Sequence, residues 1–317
     1  MGKTKQTMIR KTVITIVRLV IAAFFIFITY SFFDFSFISK QAIRVWNQPF
    51  LIFVITILYF FAFVLRARAW QLYLMGEKIP FKHFMIAILY SLFLNHILPV
   101  KAGDIARTGY LSLKGGISWG KSLESVVALR LVDLLILAFL TAVGAAAFSI
   151  SISYSFFIIL MVAGMLGLLG LSIAIPALKK KLVETIRHAG LILYSLRGIK
   201  LLILVFASWI LEAFVLFNIT FSLSLPLTFI ESVWVNSFTI AGQVFHFAPG
   251  GIGTYESFMS FSLALMGLDA KQAYTVSLLT HGYKFLFSFG CGLFLAVFAP
   301  ISIRSLMDWK RRKERFK

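Results

Sequence analysis

Residues 249–256 read Pro249-Gly250-Gly251-Ile252-Gly253-Thr254-Tyr255-Glu256. This glycine-rich break separates two apolar stretches, residues 229–248 and 255–267. Glycine allows tight turns that expose backbone N–H groups, and irregular backbone at membrane depth occurs only where protein covers it or a wet cavity adjoins it. A helix is predicted to begin near Thr254, and the positive end of its dipole favours an anion there. The break therefore indicates where the protein contacts its substrate.

The composition indicates an integral membrane protein. Of the 317 residues, 60% are hydrophobic and 14% are charged, and the mean hydropathy is +0.93. Soluble domains carry roughly 25% charged residues, so that class is excluded. The net charge of +19 does not predict nucleic-acid binding, because the basic residues cluster at the ends of apolar runs, as the positive-inside rule describes. A single cysteine and five histidines without metal-ligand spacing predict no disulfide, metal or cofactor.

The apolar runs predict an all-α polytopic membrane protein, with a single integral membrane domain over residues 1–317. Six runs are predicted to be full spans: residues 13–32, 49–66, 124–147, 155–177, 201–222 and 273–303. The segments 83–98 and 229–267 are predicted to be re-entrant or broken helices. Arg66 and Arg68 are expected to end the second span at an inner loop. Basic residues near both termini predict cytoplasmic ends, a basic cytoplasmic tail at 304–317, and a location in the cell membrane.

A shift of 150 residues aligns the two halves of the chain. Segments 49–66, 83–98 and 124–147 then fall on 201–222, 229–248 and 273–303. The run His96-Ile97-Leu98-Pro99 followed by Gly103 aligns with His246-Phe247-Ala248-Pro249 followed by Gly253. The paired segments are predicted to cross in opposite directions, so residues 1–150 and 151–303 would form an inverted repeat; chance agreement in an apolar sequence is the alternative. Many transporters build a site at the middle of the membrane from inverted repeats with broken helices.

Charged residues inside the apolar segments are candidate binding residues, because charge in the bilayer core is costly and usually functional. Arg130 and Asp133 lie one helical turn apart and can neutralise each other, as a purely structural pair or as part of a site. Lys284 lies well inside the last span and needs a carboxylate or an anionic ligand. Glu256, Glu212 and Asp133 are the possible partners, and we favour Glu256.

A second candidate region is the basic stretch after Pro99, which we interpret as a cytoplasmic loop. Lys101 and Arg107 are predicted to hold a lipid phosphate at the inner leaflet, with Asp104 one turn from Arg107; a solvated loop is the alternative. The glycine break, at the opposite face, is predicted to offer its amides to the same phosphate. The full set of candidate binding residues is Lys101, Asp104, Arg107, Arg130, Asp133, Pro249, Gly250, Gly251, Gly253, Glu256 and Lys284. No catalytic residue is predicted.

Three segments, Leu98–Leu111, Ser125–Leu135 and Phe247–Glu256, resemble the lysylphosphatidylglycerol synthase transmembrane-region family of flippase-like membrane proteins. The resemblance covers nearly the whole chain. The glycine break matches the family's Pro-Gly-Gly-Ile-Gly-x-x-Glu motif in full. In the first segment Lys101 and Asp104 stand where arginine and glutamate are commoner, and in the second Leu129 stands where glutamate is frequent.

The resemblance implies a membrane domain that moves phospholipids or lipid-linked intermediates between leaflets. In the larger fused members such a domain translocates the aminoacylated lipid that a cytoplasmic transferase domain makes. That transferase domain is not expected here, so enzymatic lysyl transfer is not expected either. Three functions stay open: a lipid translocator, which we favour; a membrane-embedded transferase acting on a lipid-linked substrate; and a partner subunit of a lipid-modifying enzyme. The sequence predicts neither the identity of the lipid nor the oligomeric state.

Overall fold

The computed structural model describes residues 33–98, 102–150, 194–243 and 249–300, together with residues 187, 190 and 192. The spans predicted at 13–32 and 155–177, the tail at 304–317, and the candidate residue Lys101 lie outside the described residues. Nine α-helices make up the described part: α1 (Phe35–Trp46), α2 (Pro49–Tyr73), α3 (Phe81–Ile97), α4 (Ala102–Gly115), α5 (Trp119–Ala147), α6 (Leu196–Ser222), α7 (Phe229–Gly242), α8 (Thr254–Leu265) and α9 (Ala270–Phe298). A single 3₁₀ turn, Pro249–Gly251, precedes α8.

Four of these helices, α2, α5, α6 and α9, are long and apolar enough to cross a membrane. With 25 to 29 residues each, they extend about 37–44 Å at 1.5 Å per residue, more than the roughly 30 Å of a bilayer core. Their outer surfaces carry large exposed apolar side chains such as Phe53, Leu135 and Leu293. The prediction of an all-α polytopic membrane fold is confirmed, while the number of spans stays a prediction.

Two stretches that the sequence assigned to loops are helical. Helix α2 does not end at Arg66 but continues to Tyr73, because the Arg66 side chain finds a partner inside the bundle and does not mark the membrane surface. Residues 102–115 were expected to be part of a cytoplasmic loop and instead form α4, which packs against α3. The solvated-loop alternative for Arg107 is therefore wrong, since its side chain is buried.

Each half of the chain contains one hairpin of short helices, α3–α4 and α7–α8. Their helices have 12 to 17 residues, which is about 18–26 Å and less than a bilayer core. Helices of this length support the predicted re-entrant segments, although the position of the hairpins in the membrane stays a prediction.

The helices of the two halves pair in the order that the repeat predicts. Helices α2, α3, α4 and α5 correspond to α6, α7, α8 and α9; α3 packs on α9, and its counterpart α7 packs on α5. The equivalent helices α2 and α6 pack on each other in antiparallel directions. Gln48, directly before α2, donates to the Ser222 carbonyl at the end of α6 (3.2 Å), while Arg66, farther along α2, contacts Glu212. Equivalent helices that pack antiparallel are related by an axis perpendicular to them, as in an inverted repeat.

Both contacts between a long helix and the other half's hairpin depend on a glycine. On α9, a Cβ at Gly292 would lie 2.2 Å from the Phe93 ring. On α5, a Cβ at Gly144 would lie 2.2 Å from the Trp234 ring. The absence of a side chain lets an aromatic ring of the short helix pack directly on the long helix in each half.

Candidate functional site

A cavity of about 200 Å³ lies at the junction of the two halves. Side chains from every helix from α2 to α9 line it, together with Gly250 of the glycine break. Asp133 is the middle residue of α5, and Lys284 is the middle residue of α9. The cavity therefore lies about halfway along helices of membrane-spanning length.

On the side of the N-terminal half, one carboxylate holds two arginines. Arg130 of α5 makes a bidentate contact with Asp104 of α4, with its Nη2 at 2.8 Å and its Nε at 3.0 Å from the carboxylate oxygens. The Nε of Arg107 lies 3.2 Å from the same carboxylate. Bidentate arginine–carboxylate contacts are strong and fix the geometry of both groups. The first turn of α4 is thereby attached to the middle of α5.

Asp133 connects this group to the C-terminal half. One of its oxygens lies 3.4 Å from Arg130 Nη1, and the other accepts a hydrogen bond from the indole N–H of Trp209 on α6 (3.1 Å). The guanidinium of Arg66, on α2, stacks over the Trp209 ring at 4.0 Å. A cation over an indole ring is stabilised by the ring quadrupole, and more strongly where water is excluded.

Glu212 lies between two cations from opposite halves. One oxygen accepts from Arg66 Nη2 at 2.6 Å and the other from Lys284 Nζ at 2.7 Å. Lys284 also donates to the Asn236 side-chain oxygen of α7 (3.1 Å), and its ammonium lies 5.3 Å from the centre of the Tyr255 ring. Glu212 and Lys284 are each about 4% exposed, so both charges are removed from solvent.

Cations and carboxylates alternate along this network. It contains four cations, Arg107, Arg130, Arg66 and Lys284, and three carboxylates, Asp104, Asp133 and Glu212. The described network thus carries an excess of one positive charge. Arg107 and Lys284 are buried and Arg130 and Arg66 are partly exposed, and charge that is removed from water is unfavourable unless a group of opposite charge compensates for it.

The glycine break is attached to α9 by a separate pair, Glu256 and His281. His281 Nδ1 lies 2.7 Å from one Glu256 oxygen, and His281 Nε2 lies 3.1 Å from the Gly250 carbonyl, which can only accept. Both hydrogen bonds form only when the pair carries two protons, one on Nε2 and one between Nδ1 and the carboxylate. The pair is then neutral overall and adds no charge to the cavity. The second Glu256 oxygen accepts from the Gly253 amide at 2.7 Å.

These contacts correct three sequence predictions. The partner of Lys284 is Glu212, so the preference for Glu256 was wrong. The Gly253 amide, which was expected to face a phosphate, already donates to Glu256, because this side chain lies in the first turn of α8 and folds back to cap it. The two breaks were expected at opposite faces, but Arg107 and Gly250 line the same cavity.

The remaining predicted residues take different places. Arg130 and Asp133 do contact each other, as predicted, and both line the cavity with Arg107 and Lys284. Asp104 lies directly behind, bonded to Arg130. Pro249, Gly250 and Gly251 form the 3₁₀ turn, in which Gly250 and Gly251 have positive φ angles of 63° and 77°. Backbone of this kind is readily adopted by glycine alone.

Sequence reasoning missed several residues of the site. Arg66 was interpreted as the end of a span, and Trp209 and Asn236 were not considered. A usable signal existed for Arg66, because it lies four residues after Ala62 and three after Phe63, both buried, on the same helical face. Trp209 and Asn236 are ordinary members of apolar helices in sequence, and only their contacts identify them.

The fold and the site together define a polytopic membrane protein with a charged cavity between helices of its two halves. The family model described as "Lysylphosphatidylglycerol synthase TM region" matches residues 15–292, and the chain belongs to that family. No curated protein and no solved structure matches the chain.

Proposed function

We propose that this protein is a lipid translocase of the cell membrane, with both termini in the cytoplasm. It moves an anionic or aminoacylated phospholipid, or a lipid-linked phosphate, between the leaflets. The observation that carries the proposal is the network of four cations and three carboxylates around one cavity, halfway along helices of membrane-spanning length. Charge at that depth is costly and usually belongs to the path of a substrate or an ion.

The charge of the cavity supports a substrate with a phosphate group. The network has one more cation than carboxylates, and a phosphodiester carries one negative charge. Arginine and lysine are the side chains that bind phosphate most often, arginine through its planar fork and lysine as a compact charge. In the proposal the headgroup enters the cavity beside Arg107 and Lys284, while the acyl chains remain among the lipids.

The inverted order of the helices supports access from both leaflets. In transporters built from inverted repeats, one half moves against the other around a fixed central site. Here α2 and α6 pack on each other across the junction of the halves, and the Arg66–Glu212 pair crosses that junction near the cavity. A movement of the halves about this contact would open the cavity first to one leaflet and then to the other.

The proposal assigns no group-transfer chemistry to the chain. Where the lipid is aminoacylated, a separate lipid-modifying enzyme makes it. Purified protein incubated with phosphatidylglycerol and lysyl-tRNA is therefore expected to form no lysyl ester. Formation of the ester would favour the transferase alternative.

A leaflet-exchange assay tests the translocase proposal. The protein is reconstituted into vesicles that contain fluorescent phosphatidylglycerol, and a membrane-impermeant reductant quenches the outer leaflet. Wild-type protein is expected to expose the inner-leaflet lipid to the reductant. Arg107→Gln is expected to slow this exposure about tenfold, the factor that corresponds to one lost hydrogen bond to a charged group.

Arg68→Gln serves as the matched control. Arg68 is on the same bundle but is exposed, where it donates to Gln71 and stacks on Phe81. This variant is expected to exchange lipid like the wild type, and the melting temperature of both variants reports whether they fold. If folded Arg107→Gln and the wild type exchange lipid at the same rate, or if neither exceeds protein-free vesicles, the proposal fails.

A further inference from the structure

We infer that the cavity binds a phosphate-bearing lipid headgroup without an amine and discriminates against the aminoacylated form. This inference rests on the proposed function and selects among the substrates that it leaves open. It follows from a comparison of the acceptors and the donors that the described residues present around the cavity.

The acceptors are already engaged. An ammonium group needs a carboxylate or another oxygen acceptor, and four carboxylates surround the cavity. Each of their eight oxygens accepts from or is paired with a donor of the protein: Asp104 with Arg130 on both oxygens, Asp133 with Arg130 and Trp209, Glu212 with Arg66 and Lys284, and Glu256 with His281 and Gly253. An incoming ammonium would have to share or displace one of these donors, and it would enter a network with excess positive charge.

The donors, in contrast, are not all engaged. Arg107 is only 7% exposed, and its Nη2 has no hydrogen-bond acceptor within the described part of the chain. The same is true of the Tyr255 hydroxyl, on a side chain that is 1% exposed and also lines the cavity. Beside Lys284, the Asn236 side-chain N–H₂ is buried without an acceptor as well. Buried donors without acceptors are rare in folded proteins, and a ligand rich in oxygen acceptors would supply partners for the two that belong to cavity-lining residues, Arg107 and Tyr255.

The size of the cavity agrees with this ligand. Its volume of about 200 Å³ is below the roughly 300–1,000 Å³ of pockets for drug-sized ligands. It has room for a phosphate with a small polar substituent. A lysyl ester adds a six-carbon acyl group with two amines, and the carboxylate oxygens around the cavity are already paired with donors of the protein.

The wild-type protein tests the inference in the same vesicles, with three labelled lipids: phosphatidylglycerol, its lysyl ester and a polyprenyl phosphate. Phosphatidylglycerol is expected to exchange at least about tenfold faster than its lysyl ester, since the ester leaves a charged group without its hydrogen bond. The polyprenyl phosphate distinguishes the two sources of the phosphate: faster exchange than phosphatidylglycerol assigns the site to lipid-linked phosphates, and slower exchange assigns it to phospholipids. Exchange of the lysyl ester at an equal or higher rate overturns the inference but leaves the translocase proposal intact. Exchange of none of the lipids defeats the translocase proposal itself.

Lys284→Met gives a second test, in which the preference for phosphatidylglycerol over its lysyl ester is expected to decrease. The substitution removes one cation and frees the Glu212 oxygen that accepts from Lys284, while Arg66 still holds the other oxygen. The cavity then offers an acceptor for an ammonium, so the ratio of lysyl ester to phosphatidylglycerol exchange is expected to rise. An unchanged ratio in a folded variant contradicts the inference.

A binding measurement covers the case in which Lys284→Met does not fold. In detergent micelles, phosphatidylglycerol is expected to raise the melting temperature of the wild-type protein, because a ligand that binds only the folded state stabilises it. The lysyl ester at the same concentration is expected to raise it less. An equal or larger increase with the lysyl ester contradicts the inference without any variant.

Discussion

Glu212 and Lys284 form an ion pair, but replacing one or the other is expected to destabilise the protein to different extents. Glu212 is held by two cations, at 2.6 Å from Arg66 and 2.7 Å from Lys284. Glu212→Gln therefore leaves two cations, the buried Lys284 and the partly exposed Arg66, facing a neutral amide whose N–H₂ end is itself a donor. Leaving a buried charge without its partner typically costs about 3–5 kcal/mol, so we expect a loss of at least that size.

Lys284→Met, in contrast, leaves Glu212 paired with Arg66. The variant loses the hydrogen bond to Glu212, which is worth about 1.5–3 kcal/mol, and the one to the Asn236 oxygen, but it no longer buries an ammonium, which offsets part of that loss. We expect it to be clearly more stable than Glu212→Gln. The double variant removes one of the two cations that Glu212→Gln leaves unpaired, and we expect it to be more stable than Glu212→Gln alone.

Thermal unfolding in detergent micelles, followed by tryptophan fluorescence, measures this order. Lys271→Met is the matched control, because Lys271 is on the same helix and also lies 2.7 Å from a carboxylate, Asp34, but both of those side chains are exposed. An exposed ion pair contributes little, so this control is expected to melt like the wild type. The reasoning is refuted if Lys284→Met is as destabilised as Glu212→Gln, or if the double variant is less stable than Glu212→Gln.

Two further predictions concern packing and the glycine break. Gly292→Ala is expected to destabilise the protein by about 1–3 kcal/mol, because its Cβ would lie 2.2 Å from the Phe93 ring. Gly290→Ala is the control, because a Cβ at this position has no atom within 4 Å and is expected to have no such cost. Equal melting temperatures of the two variants would contradict this prediction. Glu256→Gln is expected to be tolerated, since the amide N–H₂ can donate to His281 Nδ1 and the amide oxygen can accept from the Gly253 N–H. Glu256→Ala leaves both of these groups without a partner, at about 1–3 kcal/mol each. Equal loss of stability in the two Glu256 variants would argue against the two-proton description of the pair.

The architecture could be predicted from the sequence to the extent that it depends on local patterns. Apolar run length predicted the long helices α2, α5, α6 and α9, and the 150-residue shift predicted which helices are equivalent. Charge was the misleading signal. Basic residues usually mark the ends of spans, but Arg66 and Arg107 are neutralised inside the bundle, so α2 was predicted too short and α4 was not predicted. The positive-inside rule counts charges and cannot tell a solvated arginine from a paired one.

The site is less predictable from local sequence patterns than the fold, because its strongest contacts join residues that are far apart in sequence. The pairs that helical spacing predicted, Arg130–Asp133 and Asp104–Arg107, lie at 3.4 and 3.2 Å, whereas Arg130 contacts Asp104, 26 residues away in sequence, at 2.8 Å. The repeat does not predict the ion pairs of the site either. A shift of 150 residues carries Lys284 onto Leu134 and Glu212 onto Ala62, so neither charge has a charged counterpart in the other half. The repeat thus accounts for which helices pack on each other. It does not account for the ion pairs, because each half contributes charged residues that have no charged equivalent in the other half. For this reason the glycine break alone did not identify the site: Gly250 contributes one wall of the cavity, and the cations that favour an anion lie on α2, α4, α5 and α9.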